Sequence, residues 1–453
     1  MLFNSFPFLF AFLPCALAVY YGVSRTVEPL RLPVLLAISF VFYGYWDWRF
    51  VPLLAGSILI NWLLARTFQS VGRFVIAGAI AANLGLLGLF KYYNFFAGLL
   101  PSLEMPHLDI VLPLGISFFT FHHIMYLSDL RAGIAPRYDV VRYALYISFF
   151  PQLLSGPLVR WREIMHQFDA KPFASDAVER MARGLLLLIL GLCEKTLLAD
   201  NLANISGPIF SASQSASPTV SDAWLGTVSF MFRIYFDFAG YTDMALGIAL
   251  MFGIVLPQNF NSPYRAASLQ DFWRRWHMTL SRFLRDYLYV PLGGSRYGLA
   301  VQLWALFATM ALGGLWHGAG LNFVLWGVLH GVGLGVGVLW RRAGLSLPSL
   351  IGMPLTFLFV MLCWIPFQAP SFNAAAKIYQ SLFSGMPGDS WSWQNRTIVL
   401  IAFIISVAVP SAWELVHRAK PRISIAVIAG VLSALAILVM NAGETFDFIY
   451  FRF

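Results

Sequence analysis

Charge is what this chain has least of. Asp, Glu, Lys and Arg together make up 11% of its 453 residues, against roughly 25% in a soluble globular protein. No polar stretch is long enough for a soluble domain, which excludes the multidomain soluble protein that length alone suggests. Cysteine is nearly missing. Cys15, Cys193 and Cys363 lie far apart in apolar segments, a spacing that fits neither a zinc site nor a disulfide framework. We therefore expect no metal and no bound cofactor. Alternating polarity over about ten residues is also lacking, and apolar runs of about 20 residues replace it, which excludes a β-barrel. The net charge is +9. With so few charges in all, the excess reads as cytoplasmic loops of a membrane protein and not as a nucleic-acid surface.

What remains is 59% hydrophobic and 16% aromatic. This composition predicts an all-α polytopic integral membrane protein, one transmembrane domain covering residues 1–453. Apolar runs begin near Phe6, Leu32, Phe50, Phe74, Val111, Gly184, Ala223, Gly298, Leu321, Leu350, Ile398 and Ile423. They predict about 11–13 crossings. The first run lacks a basic flank and a small-residue cleavage site, so it reads as an uncleaved span. Arg25, Arg31, Arg66, Arg73, Arg131, Arg137 and Arg142 mark cytoplasmic turns, as do Arg341, Arg342, Arg418, Lys420 and Arg422. Residues 201–222 contain no Lys or Arg and face outward, and both termini then lie outside.

Two segments resist simple alternation. Residues 143–158 are apolar but basic on both flanks and hold Pro151, Gly156 and Pro157, which suits a re-entrant or interfacial piece. Residues 222–256 are too long for one ordinary crossing, and a helix broken near Gly240, or a crossing plus a half-helix, would accommodate them. A third segment, 268–290, repeats Leu269, Phe272, Trp273, Trp276, Leu280, Phe283, Leu284 and Tyr287 at helical spacing. Arg274, Arg275, Arg282 and Arg285 fall on the other face, with Asp271–Arg275 and Arg282–Asp286 at i,i+4. We expect one interfacial amphipathic helix on the cytoplasmic leaflet, with His277 at the edge of its apolar stripe. It lies within a basic stretch, 257–297, of six arginines and two acids.

The candidate site centres on His317. Residues 297–340 contain no charged side chain across 44 positions, and Gly313-Gly314-Leu315-Trp316-His317-Gly318-Ala319-Gly320 stands in the middle. An imidazole at hydrocarbon depth is a functional candidate by default. A neutral ring is also a natural base for a hydroxyl or thiol near neutral pH. The alternative is a structural histidine satisfied by a carbonyl. Trp316 and Asn322 stand close by as candidate substrate contacts, and His330 of the same core segment, 298–340, reads as a packed histidine. Arg274, Arg275 and Arg282 suit the phosphates of a nucleotide-based donor or an acidic carrier protein, with lipid headgroups as the competing ligand. Asp237 and Asp243 are intramembrane carboxylates that either pair, with Arg233 as a candidate partner, or line a polar path. His122 and His123 are adjacent, so their rings diverge on a helix and do not suit a shared metal.

Several of these motifs, read together, resemble the membrane-bound O-acyltransferase family and its bacterial alginate O-acetyltransferase branch. They are Trp316-His317-Gly318, Phe272-Trp273-Arg274-Arg275-Trp276-His277-Met278-Thr279-Leu280-Ser281 and Asp286-Tyr287-Leu288-Tyr289-Val290-Pro291-Leu292-Gly293-Gly294. Phe90-Lys91-Tyr92-Tyr93-Asn94-Phe95, Pro113-Leu114-Gly115-Ile116-Ser117-Phe118, Phe150-Pro151-Gln152, Gly156-Pro157 and the ending Phe448-Ile449-Tyr450-Phe451-Arg452-Phe453 carry it along the chain. His122 and Gln368 depart from the family's usual Gln and Arg.

The resemblance implies His317 as the catalytic histidine and His277 as a second one on the cytoplasmic side. It implies a central tunnel through the bacterial inner membrane and an acyl-CoA or acyl-carrier donor, most simply acetyl-CoA. It also implies a periplasmic partner with a serine nucleophile and an extracytoplasmic polysaccharide acceptor. D-alanyl or peptidoglycan transfer by the same fold stays open, as does a transporter or flippase for lipid-linked sugar. The transporter reading is weakened because no internal repeat is visible.

Overall fold

A computed structural model of the chain describes residues 1–442, 446, 448 and 449. All regular elements among them are helical. Helices satisfy backbone N–H and C=O groups within one segment, the requirement that hydrocarbon imposes on a chain this apolar. Among the described residues, seven helical runs have the length and apolarity to cross a membrane, or eight if Trp393–Ala408 and Ala412–Arg418, bent by 58°, form one span. One of the seven, Glu28–Arg66, holds the two helices Arg31–Asp47 and Val51–Arg66. The runs expected near Val111, Gly184 and Ala223 are the helices Ile116–Arg131, Ala177–Cys193 and Val220–Met251, outside that set. The first has only 16 residues. The second runs on into Glu194, Lys195 and Asp200, and the third carries Asp222, Arg233, Asp237 and Asp243.

The chain forms two compact units, Met1–Leu188 with Tyr241–Pro257, and Ile189–Gly240 with Gln258–Phe453. The first has an aromatic core in which the rings of Phe3, Phe8, Phe42 and Phe150 lie 5.0–6.5 Å apart. Its segment 143–158 is buried and broken into the short helices Val140–Ser148 and Phe150–Leu153, neither long enough to cross a bilayer. His122 donates from Nδ1 to the Phe118 carbonyl at 2.8 Å, and its Nε2 accepts from the Val159 amide at 3.3 Å. His123 instead meets the Tyr143 hydroxyl at 2.8 Å and Ser57 at 3.1 Å. The two rings diverge and serve as polar ties of the core.

In the second unit, the glycines of the helical hairpin Leu299–His317 and Leu321–Arg342 set how closely its arms approach. A Cβ on Gly314 would lie 2.2 Å from the Phe323 carbonyl oxygen, and one on Gly327 would lie 2.1 Å from that of Met310. Only glycine fits either place, and the result holds His317 against the second arm.

Two expectations fail here for identifiable reasons. Val220–Met251 runs unbroken for 32 residues, so the predicted break at Gly240 is absent. Gly240 is a contact point instead: a Cβ there would lie 2.6 Å from the Gly191 carbonyl oxygen. The single amphipathic helix over 268–290 is also not formed. Leu269–Arg275 and Met278–Leu284 are separated at His277, whose φ of +41° and ψ of +53° interrupt the helical path. The apolar stripe nevertheless faces inward through both pieces, with Phe272, Trp276, Leu280, Phe283 and Leu284 buried.

Candidate active site

The turn between those two short helices points His277 into the protein. The ring is fully buried, and burial pushes its ordinary value of 6.5 down to about 3. Asn259 holds the ring. Its side-chain oxygen accepts from His277 Nδ1 at 3.1 Å, from the Thr279 amide at 3.3 Å and from the Thr279 hydroxyl at 3.0 Å, while its carbonyl accepts from the Met278 amide at 2.9 Å. A backbone N–H can only donate, so the acceptor must be the amide oxygen, and His277 must carry its proton on Nδ1. The lone pair of the neutral ring is then on Nε2.

His317 is the last residue of Leu299–His317 and is 3% exposed. The Trp316 ring stands between the two histidines, 4.8 Å from His317 and 6.2 Å from His277, centre to centre. Trp326 and Phe367 close around His317 at 5.1 and 5.4 Å. Asn322 does not point at His317. Its amide donates to the Ala369 carbonyl at 2.8 Å and ties the start of Leu321–Arg342 to the end of Ser349–Gln368, the helix that carries Phe367.

A cavity of about 450 Å³ opens beside this cluster. Arg274, Arg282, Arg285 and Arg341 line it with no carboxylate among the lining residues, and Leu284, Leu306, Met310, Leu334 and Val338 give it an apolar wall. Trp273 forms part of the lining and also packs 5.8 Å from Trp326, so one indole separates the arginines from the rings around His317. The third predicted arginine is elsewhere: Arg275 pairs with Asp271 at 3.0 Å and is not among the lining residues. The sequence placed Arg285 on one face with Arg274 and Arg282 but did not name it as a donor contact, and it missed Arg341 as a member of the group; the basic end of Leu321–Arg342 was the only visible signal for Arg341.

The two intramembrane carboxylates part company. Asp237 belongs to a buried ion cluster in which Lys195 Nζ lies 2.7 Å from both Asp200 and Asp237 and 3.0 Å from the Phe446 carbonyl. Asp237 also accepts from the Ile449 amide at 2.8 Å. The cluster thus fastens the chain near 446–449 to the long helix; Tyr450, Phe451, Arg452 and Phe453 of the ending motif lie outside the described residues. Lys195 is an ion-pair partner of Asp237 that the sequence did not single out. Asp243 is buried in the other compact unit.

Comparison with known proteins identifies the family. The family model described as MBOAT, membrane-bound O-acyltransferase family, matches residues 114–344, which include both histidines and the lined cavity. The peptidoglycan O-acetyltransferase of Helicobacter pylori is 37% identical over 429 residues, covering 86% of this chain and 81% of the relative. A probable alginate O-acetylase of Pseudomonas aeruginosa is 37% identical over 403 residues, covering 85% and 75%. The teichoic acid D-alanyltransferase of Bacillus subtilis is 28% identical over 289 residues, covering 61% and 71%. The chain belongs to the membrane-bound O-acyltransferase family and is a multi-pass membrane O-acyltransferase.

Proposed function

We propose that this enzyme moves an acetyl group from cytoplasmic acetyl-CoA across the bacterial inner membrane to hydroxyls of an extracytoplasmic polysaccharide. A periplasmic protein with a serine nucleophile would be the intermediate acceptor. The observation that carries the reading is the cavity lined by four arginines, of which Arg285 is paired with Asp286 outside the lining, two indoles, Trp273 and Trp326, away from His317. Arginine forks suit phosphate oxygens, and an apolar wall suits the pantetheine arm that brings a thioester inward.

In this reading His317 Nε2 or Nδ1 takes the proton of the accepting hydroxyl as its oxygen attacks the thioester carbonyl. The new C–O bond forms, the C–S bond breaks, and the departing thiolate recovers a proton to leave as free CoA. The negative end of the helix that His317 terminates favours the imidazolium formed in that step. His277, locked with its lone pair on Nε2, orients the donor on the way in. The relatives support acetyl as the group and a cell-envelope polymer as acceptor, since two of them are named for acetyl transfer to peptidoglycan and alginate.

The test is acetyl transfer in proteoliposomes. Labelled acetyl-CoA supplied on the side bearing the arginine cavity should yield labelled ester on a serine-bearing acceptor enclosed on the other side. Transfer from an acyl-carrier protein but not from acetyl-CoA would replace the donor in this reading. Label appearing only on the side of addition would remove the transmembrane step.

A further inference from the structure

Behind His317 lies a second polar feature that the transfer chemistry above does not use. Trp326, His330 and Trp364 form a packed triangle, with ring centres 4.9, 5.5 and 6.4 Å apart. All three are buried, at 1%, 0% and 0% exposure. Among the described residues, the Nε1 atoms of Trp326 and Trp364 and Nε2 of His330 have no hydrogen-bond partner. Trp273 settles the state of His330. Its Nε1–H can only donate, and it reaches His330 Nδ1 at 3.3 Å. His330 Nδ1 is therefore an acceptor, and in the neutral ring Nε2 carries the proton.

The triangle thus presents three N–H donors and no acceptor. A buried donor left unpaired costs about 1–3 kcal/mol, and three in one place call for an explanation by function. An aromatic core that needed only shape would use Phe and Leu here. The triangle borders His317 directly through Trp326, at 5.1 Å. Its link to the arginine cavity is Trp273, which lines the cavity and donates to His330.

We propose that Trp326, His330 and Trp364 form a subsite for an acyl carbonyl oxygen. Resting on the acyl-transfer reading, the subsite accepts the thioester carbonyl of the donor and stabilises the charge that gathers on its oxygen when the hydroxyl adds. The electron pair returns to carbon as the C–S bond breaks, so the donors take part in no bond making. Donors already aimed where negative charge develops need no reorganisation during the reaction, the source of strength in such sites. Trp273 is a positioning residue: it fixes the His330 proton on the face that serves the carbonyl, and it joins the donor cavity to the subsite.

Two measurements test the proposal with the full-length protein in detergent or nanodiscs. Acetonyl-CoA labelled with carbon-13 at its ketone keeps the carbonyl but cannot be cleaved, so its infrared stretch reports hydrogen bonding without turnover. The stretch should move to lower frequency on binding the wild-type protein. Replacing Trp326 or Trp364 with benzothienylalanine preserves ring shape while removing the N–H, and should relax that shift. Each replacement should lower kcat by up to about 10²-fold, the low end for loss of one such donor, with little change in KM for acetyl-CoA. His330→Phe should behave in the same way, and His330→Gln, which keeps an N–H, should recover part of the rate. Unchanged carbonyl frequency and kcat within about threefold of wild type in all three N–H-deleted proteins, a difference of under about 0.7 kcal/mol, would overturn the subsite. Absence of acetyl transfer by the wild-type protein would instead remove the functional reading, while the carbonyl shift would still report on the subsite by itself.

Discussion

The side-chain oxygen of Asn259 receives the Nδ1 proton of His277 at 3.1 Å. The same oxygen also receives two donors from Thr279, so the amide cannot be flipped without losing a backbone hydrogen bond. Asn259 therefore decides which nitrogen of a buried, neutral imidazole is basic. The break at His277 that separates the two short helices lets its ring and the amides of Met278 and Thr279 converge on Asn259 together.

Asn259→Ala should release that choice. Turnover should fall about tenfold, the value of one buried hydrogen bond, and nitrogen-15 spectra of labelled histidine should show both tautomers of His277. A single unchanged Nδ1–H tautomer in the variant would contradict the assignment.

His317→Ala should abolish acyl transfer while the protein still inserts and purifies as a monodisperse species. Loss of a general base costs about 10²–10⁴-fold. More than about a tenth of wild-type turnover in the purified variant would make the residue structural.

The arginines should separate by geometry. Arg282→Ala and Arg341→Ala should each raise KM for acetyl-CoA about 10- to 150-fold, as expected for a charge-assisted contact of about 1.5–3 kcal/mol. Arg275→Ala should leave it nearly unchanged, because Arg275 is engaged with Asp271 and does not line the cavity. The reverse order of effects would move the donor to the Arg275 side.

Lys195→Met should leave Asp200 and Asp237 facing each other without their shared cation. Breaking a buried ion cluster in this way costs about 3–5 kcal/mol, which thermal unfolding in detergent would register as a clear fall in midpoint. The Lys195→Met, Asp237→Asn double variant should recover part of that loss. No recovery would mean that the loss comes from packing and not from uncompensated charge.

His277 also gives stability a pH dependence of defined sign. Its folded value of about 3 lies below the ordinary 6.5, so the unfolded chain takes up the proton first as pH falls. The stability this group provides is complete above about pH 6.5 and is lost progressively toward pH 3. Unfolding midpoints measured at about pH 7.5 and 5 should fall less in His277→Asn than in wild type. Equal falls in both would show that the ring does not titrate between the two states.

The sequence by itself determined the class of fold, because scarcity of charge and apolar runs of helical length leave few alternatives. It also singled out His317, since a histidine in a charge-free stretch stands out without any knowledge of neighbours, and His277 by its place in a basic, aromatic segment. Tertiary structure decided what depends on residues far apart in the chain. Asn259 carries no local sign of its hold on His277, and Arg341 meets Arg274, Arg282 and Arg285 only because the Leu321–Arg342 arm folds back beside them. His330 read as a packed ring until Trp273, 57 residues away in the chain, fixed its proton. The periodicity of 268–290 reported correctly which side chains turn inward but not the break at His277. An apolar stripe records which face is buried, whereas a backbone interruption is set by the contacts that the turn itself makes.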